Sequence, residues 1–303
     1  MSRIHEALKK AEMEVAILEP TGRSSVPKQA IADDPNGKII SQSLAQQVRP
    51  GPEIDLAPLK FDQLVKACSR FQWHLSANKS VFEAGSETGN SGEGFRSLRS
   101  KLDQIRSIQP FQTLLITSAT PGEGKTFVLN NLAQAIVRQA GRHVLVIDAD
   151  LRGSALHKVL GAPSGPGLAE YLRGEAEELG IIQIGNLGLG LKSTLCLIPA
   201  GEKVNNPTEL LSNGRMKTLL NRVSPAFDWV IIDSPPCTNV ADASILADIT
   251  DGLLFVVRAG ATPSASVEKA RQELPKDKIL GVLLNAVENR LGDKSEHYCS
   301  DHR

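Results

Sequence analysis

Apolar and polar positions along this chain follow two periods, and the change from one to the other outlines the fold. In residues 2–18, Ile4, Leu8, Ala11, Val15 and Leu18 recur at three- and four-residue steps. That spacing predicts an amphipathic helix, capped by Ser2 and ended by Pro20 and Gly22. Residues 19–58 turn to Pro, Ser, Gly, Gln and Asp with few aromatics, the composition of a disordered linker. The stretch 61–75, FDQLVKACSRFQWHL, reads as a helix or helix-like addition, and 86–92, SETGNSG, as a flexible break. Glu93 then opens a helix with Phe95, Leu98, Leu102 and Ile105 on one side.

From residue 114 onward, short apolar runs alternate with helical patterns. LLIT is followed by the helix FVLNNLAQAIVRQA, and residues 144–147 form a run apolar enough to be buried on both faces of a sheet. Residues 155–192 are mixed, with short helical patches around GLAEYLRG and a glycine-rich stretch, IGNLGLGLKS. Further strands are expected within 193–201, 227–236, 252–257 and 279–284. Helices are expected over 207–223, 241–248 and 264–274. Alternation of this kind implies an α/β fold, a mainly parallel sheet with helices on both faces. The organisation expected is a helix at 1–18, a linker at 19–58, an α/β domain at 59–290 and a flexible tail at 291–303.

Composition narrows the field. Hydrophobic residues make up 41% of the 303, enough for a sizeable core. Lys+Arg and Asp+Glu both number 34, so no global charge points to nucleic acid as a partner. Cys68, Cys196, Cys237 and Cys299 are scattered without paired spacing, which suits cytosolic free thiols rather than a disulfide framework or a zinc site. Cys237 reads as a small turn residue. No apolar run approaches the ~18 residues of a membrane span, and the start has no apolar core of a secretory signal. The mixed Lys and Glu face of the first helix favours docking on a protein partner over packing on its own domain or lying on a membrane.

The chemistry concentrates after the first strong strand. Ala119, Thr120, Pro121, Gly122, Glu123, Gly124, Lys125, Thr126 and Phe127 join that strand to a helix. Glycines let backbone N–H groups approach a polyphosphate, a lysine brings charge to its outer phosphates, and a threonine hydroxyl can ligate Mg²⁺. A strict G-x-x-x-x-G-K-[ST] would place glycine at 119, where alanine stands. Asp148 and Asp150 end the next strand with Arg152 just beyond, and Asp233 ends a later one. Ligands of open α/β sheets bind at such strand ends. Thr126, Asp233 and one of Asp148 and Asp150 would therefore hold Mg²⁺, leaving the other aspartate to accept a proton from an incoming hydroxyl. Arg152 could stabilise charge on the transferred group. Asn285 could meet an adenine edge or be a plain turn residue. Glu93, Arg96 and Arg99, three apart on one helix, taken alone read as a solvated charged stripe.

TSATPGEGKT, VLVIDADLRGS and DWVIIDSPP, in this order, resemble the Walker A, Walker A′ and Walker B motifs of bacterial tyrosine kinases. These are P-loop autokinases tied to capsule and exopolysaccharide synthesis, and the resemblance covers about 93–286. The start MSRIHEALKKAE is also similar to free-standing kinases of this family from exosortase-linked loci. The resemblance implies ATP and Mg²⁺ as cofactors, with Lys125, Thr126, Asp148, Asp150 and Asp233 at the site. It makes Glu93, Arg96 and Arg99 the family's E-x-x-R-x-x-R element, through which subunits form rings. It further implies a separate membrane-embedded chain-length or polymerisation activator, a cognate tyrosine phosphatase, and a cytoplasmic protein held at the inner membrane through a partner.

One departure concerns the phosphoacceptor. The family ends in a cluster of tyrosines, whereas this chain has Tyr171 and Tyr298, and only Tyr298 lies in the tail. Two other readings stay open. One is a non-kinase ATPase switch similar to the cell-division and partitioning ATPases, which carry an extra lysine where Thr120 stands. The other is a nucleotide-binding regulator of polysaccharide export.

Overall fold

A computed structural model describes residues 57–76, 79–82, 90–186 and 192–287. The helix expected at 2–18, the linker up to residue 56 and the tail with Tyr298 lie outside them. The first described elements are α1 (Phe61–Ala67), β1 (Ser69–Gln72), α2 (Asn90–Ile108), β2 (Thr113–Ser118), α3 (Lys125–Val137) and β3 (His143–Asp148). Short helices α4 (Leu156–Leu160), α5 (Leu168–Arg173) and α6 (Glu178–Ile181) lead to β4 (Gln183–Asn186) and β5 (Thr194–Ile198). The remainder is α7 (Pro207–Ser212), α8 (Arg215–Val223), β6 (Trp229–Asp233), α9 (Asp242–Ile249), β7 (Gly252–Arg258), α10 (Ser264–Gln272) and β8 (Ile279–Asn285).

The eight strands form one sheet in the order β1-β4-β5-β3-β6-β2-β7-β8. Pairing is parallel except between β4 and β5. Successive strand residues point to opposite faces, so each apolar run fills two cores. Leu115, Ile147, Ile232 and Phe255 enter one with residues of α5, α8, α9 and α10; Leu114, Ile116, Val146 and Ile231 enter the other with residues of α2, α3 and α4. The order places the ends of β3, β6 and β2 side by side, and with them Asp148, Asp233 and the loop that follows Ser118.

Four sequence expectations are corrected. Residues 61–75 are not one helix: after Cys68 the backbone is extended, because β1 bonds in register with β4 from Ser69↔Gln183 to Gln72↔Asn186. Trp73 then lies so close to Gly185 that a Cβ there would meet its ring at 2.2 Å. Strand β4 itself falls in the stretch read as mixed. The expected helix 207–223 is two helices, broken at Gly214 with φ +85°, a conformation that glycine accepts readily. Helix α2 starts at Asn90, inside the expected break.

Helix α3 carries three polar residues inside the core. Asn131 Oδ1 accepts the Val81 N–H at 2.8 Å, Asn130 Nδ2 donates to the Lys79 carbonyl at 2.9 Å, and Ser80 Oγ donates to Gln134 Oε1 at 3.1 Å. These bonds pin residues 79–82 to the helix, and they satisfy polar groups whose burial would otherwise be costly.

Candidate nucleotide site

The phosphate loop rises from β2 and is held on every side by the protein. Ala119 is buried, and its carbonyl accepts from Thr238 Oγ1 at 2.6 Å. The Thr120 N–H donates to Glu123 Oε2 at 2.8 Å, which closes the turn from within. Pro121 and Gly122 form the exposed tip, and Gly122 (φ +80°) and Gly124 (φ +95°) supply the left-handed residues. Gly124 caps α3, so the loop ends at a helix N-terminus, where free N–H groups and the helix dipole favour anions. Lys125 is buried, with Nζ donating to Ser118 Oγ at 3.1 Å. Phe127 sets its ring edge-on to Phe95 of α2 at 5.9 Å, so its side chain packs between helices.

Asp148 and Asp233 are register partners on β3 and β6, and both are buried. Thr126 Oγ1 donates to Asp233 Oδ2 at 2.5 Å. Asp148 Oδ2 accepts the N–H groups of Ala155 and Leu156 at 3.2 and 3.1 Å, and so holds the start of α4. The other oxygen of each, Asp148 Oδ1 and Asp233 Oδ1, is buried without a hydrogen-bond partner. Burial, and then the neighbouring Asp233, pushes the Asp148 carboxyl up to about 8; burial pushes Asp233 up to about 6, against the Thr126 hydrogen bond and Lys125. Two bare carboxylate oxygens beside a threonine hydroxyl fit a hard cation. Among the described residues there is no cluster of three or more His, Cys, Asp or Glu of metal-binding geometry.

The sign of the Asp148 shift makes a testable statement. A folded-state pKa above the unfolded value means that the native state holds the proton more tightly. This group's contribution is then fully present below the ordinary value of 3.8 and is lost as pH rises through about 8. Metal-free wild type should therefore lose thermal stability relative to Asp148→Asn as pH rises from about 4 to about 8, and the difference should level off above that. Melting curves that run parallel over that range would show that another group titrates.

The remaining expected residues divide. Asp150 accepts the backbone N–H groups of Arg152 and Gly153 at 3.2 and 2.9 Å. Arg152 is engaged by other side chains: Nε donates to Asp242 Oδ2 at 2.8 Å and Nη2 to Thr208 Oγ1 at 2.9 Å. Asn285 donates Nδ2 to the Glu123 carbonyl at 2.9 Å, a contact with the loop backbone. Cys237 is buried with its thiol 3.2 Å from Thr117 Oγ1, and burial pushes it up to about 11, so it carries no thiolate. In the charged stripe, Arg96 pairs with Glu93 at 3.2 Å on the surface, whereas Arg99 reaches inward to the Ala135 carbonyl of α3 at 2.7 Å. Tyr171 is 2% exposed beneath the Arg215 guanidinium, so it cannot reach an active site without unfolding its surroundings. Ser118, Thr208, Asp242 and Thr262 are contacts that the sequence reading lacks.

A family model described as ParA, NUBPL iron-transfer P-loop NTPase, matches residues 110–298. Tyrosine-protein kinase YwqD of Bacillus subtilis (strain 168) is 34% identical over 209 residues, which is 68% of this chain and 85% of that protein. The putative tyrosine-protein kinase AmsA of Erwinia amylovora is 38% identical over 206 residues, 67% of this chain. This chain spans 27% of the length of AmsA. Among solved structures, the kinase domain of the Escherichia coli tyrosine kinase ETK superposes with a TM-score of 0.64 at 32% identity, over 81% of this chain and 93% of that one.

Proposed function

This chain belongs to the bacterial tyrosine kinase family, within the ParA-type P-loop NTPases, and on that footing we propose that it is an ATP-dependent protein-tyrosine autokinase acting in exopolysaccharide or capsule synthesis. The observation that carries this reading is the pair of bare oxygens on Asp148 and Asp233, beside Thr126 at the mouth of the phosphate loop. Loop N–H groups and Lys125 bind the phosphates, with Lys125 leaving Ser118 to do so. Thr126, Asp148 and Asp233 would hold Mg²⁺, which when bound would neutralise charge on the phosphates. Asp150 stands outside the buried pair with Oδ1 on two backbone N–H groups. It accepts the tyrosine proton as the phenolic oxygen attacks the γ-phosphorus and ADP departs. Arg152 fixes the loop that carries Asp150.

Tyr298 is the acceptor in this reading, since Tyr171 is enclosed and the chain has two tyrosines. A tail on one subunit can serve the site of its neighbour, and Glu93 with Arg96 is the outward-facing pair that would join them. We place the protein in the cytoplasm, peripheral to the inner membrane through a membrane-embedded polymerisation activator. No described helix is long and apolar enough to cross a membrane.

Incubation with ATP·Mg²⁺, and with an activator fragment if required, should phosphorylate Tyr298 as read by mass spectrometry, and Tyr298→Phe should abolish the mark. On the same samples, Glu93→Ala with Arg96→Ala should lower the oligomer mass by light scattering; an unchanged mass returns that pair to a solvated face. The ParA family match supports a second reading, a non-kinase ATPase switch of the partitioning type. Thr120, in place of the extra lysine, weighs against it. Steady hydrolysis of ATP without phosphotyrosine would favour it.

A further inference from the structure

Glu123 puts an acid inside the phosphate loop. The residue is 2% exposed, next to a site built to attract polyanions, and no ion pair to it exists among the described residues. It is satisfied by hydrogen bonds instead. Oε2 accepts the Thr120 N–H, and Oε1 accepts the hydroxyl of Thr262, from the segment between β7 and α10. The Glu123 carbonyl accepts Nδ2 of Asn285, the last residue of β8. The same amide group fills the space beside Gly124, where a Cβ would lie 2.1 Å from Asn285 Nδ2. Glu123 is thus gripped at its side chain by Thr262, just beyond the neighbouring strand β7, and at its backbone by Asn285 of the edge strand β8.

From this we propose that Thr262 and Asn285 are positioning residues for the phosphate loop. They act through Glu123 to hold the loop's N–H groups in the arrangement that receives phosphate. This rests on the nucleotide-site reading above and adds two residues to it. The physical reason is preorganisation: a loop fixed before binding loses less conformational freedom when the anion arrives. Glu123 can stay buried beside an anion because both of its carboxylate oxygens are engaged, and Thr262 supplies one of the two bonds. Without the Thr262 hydroxyl, that oxygen would turn toward solvent and unlock the tip.

The test uses the full chain and a probe without a base. Calorimetric titration with inorganic tripolyphosphate should show an affinity about tenfold weaker for Thr262→Val than for the unaltered chain, with recovery in Thr262→Ser. Asn285→Ala should weaken tripolyphosphate by a similar factor. In turnover, Thr262→Val should raise the KM for ATP more than it lowers kcat. If Thr262→Val and Thr262→Ser bind tripolyphosphate equally, or if Asn285→Ala loses affinity for ATP alone, the proposal is overturned; the latter result would make Asn285 a reader of the base. Melting temperatures without ligand separate loop loosening from global unfolding, and tripolyphosphate loss that follows melting temperature across the three variants also counts against it. The outcome is independent of the kinase assignment: a chain that binds tripolyphosphate but makes no phosphotyrosine fails that assignment and leaves this comparison intact. No tripolyphosphate binding by the unaltered chain would overturn both.

Discussion

Lys125→Met should cut nucleotide-dependent phosphorylation severely and leave the fold in place. The side chain is buried, and its ammonium meets Ser118 Oγ with the Asp233 carboxylate nearby. Methionine reproduces the stem in length and volume, so packing against the end of β2 survives. What is lost is the only cation in the phosphate loop. Removing one preorganised charge that faces a developing phosphoryl group typically lowers kcat by about 10²–10³-fold. Binding falls as well, because the lysine meets ground-state phosphates as much as the transferring one. Circular dichroism should overlay that of the wild type, and titration with a fluorescent ATP analogue should show no saturation at concentrations that saturate the wild type. A variant that kept wild-type affinity would place the polyphosphate somewhere other than this loop.

Arg152→Ala should be the most destabilising of the site substitutions, for a reason unrelated to phosphate. Asp242, at the first turn of α9, has a side chain 1% exposed, and Arg152 is the cation that meets it, at 2.8 Å. Thr208 Oγ1 donates to the same carboxylate at 2.5 Å. Truncating the arginine leaves a buried carboxylate with one hydroxyl for a partner. Breaking such a pair generally costs about 3–5 kcal/mol; since the arginine is itself 41% exposed, water can reach the gap, and we expect about 2–3 kcal/mol. Urea unfolding of the nucleotide-free protein measures this. Adding Asp242→Asn should restore much of the loss, because the charge then disappears with its partner. An Arg152→Ala protein of undiminished stability with impaired phosphoryl transfer would instead mean that the guanidinium swings to the transferred group.

The sequence was most informative where chemistry and strand lie next to each other in the chain. The phosphate loop, Asp148 and Asp233 each follow an unbroken apolar run directly, so strand ends and acids could be read together, and the structure places them at one end of the sheet. Contacts made across the fold were not readable in this way. Thr262 follows Glu123 by more than a hundred residues and carries no motif, and Asp242 stands in a helix whose pattern says only that it is a helix. The glutamate, arginine and arginine of α2 share a spacing, but neighbouring α3 offers Arg99 a carbonyl and offers Arg96 nothing, so the stripe divides. The four-residue strands β1 and β4 were missed because neither has an apolar run; their extended form comes from pairing, β1 with β4 and β4 in turn with β5. The break at Gly214 was visible as a glycine, yet the apolar spacing ran through it undisturbed.

The sheet order also bears on how the chain is made. Strand β2, which carries the phosphate loop, is flanked by β6 and β7: Thr113 waits for Val230 on one side, and Leu114 for Gly252 on the other. Until the ribosome has released β6, strand β2 has no partner on either edge, and until it has released β7 one edge stays open. Such long-range parallel pairing closes slowly. The nascent chain thus carries LLITS unpaired while more than a hundred further residues are added, and chaperone capture of that segment would be expected to govern the yield of soluble protein.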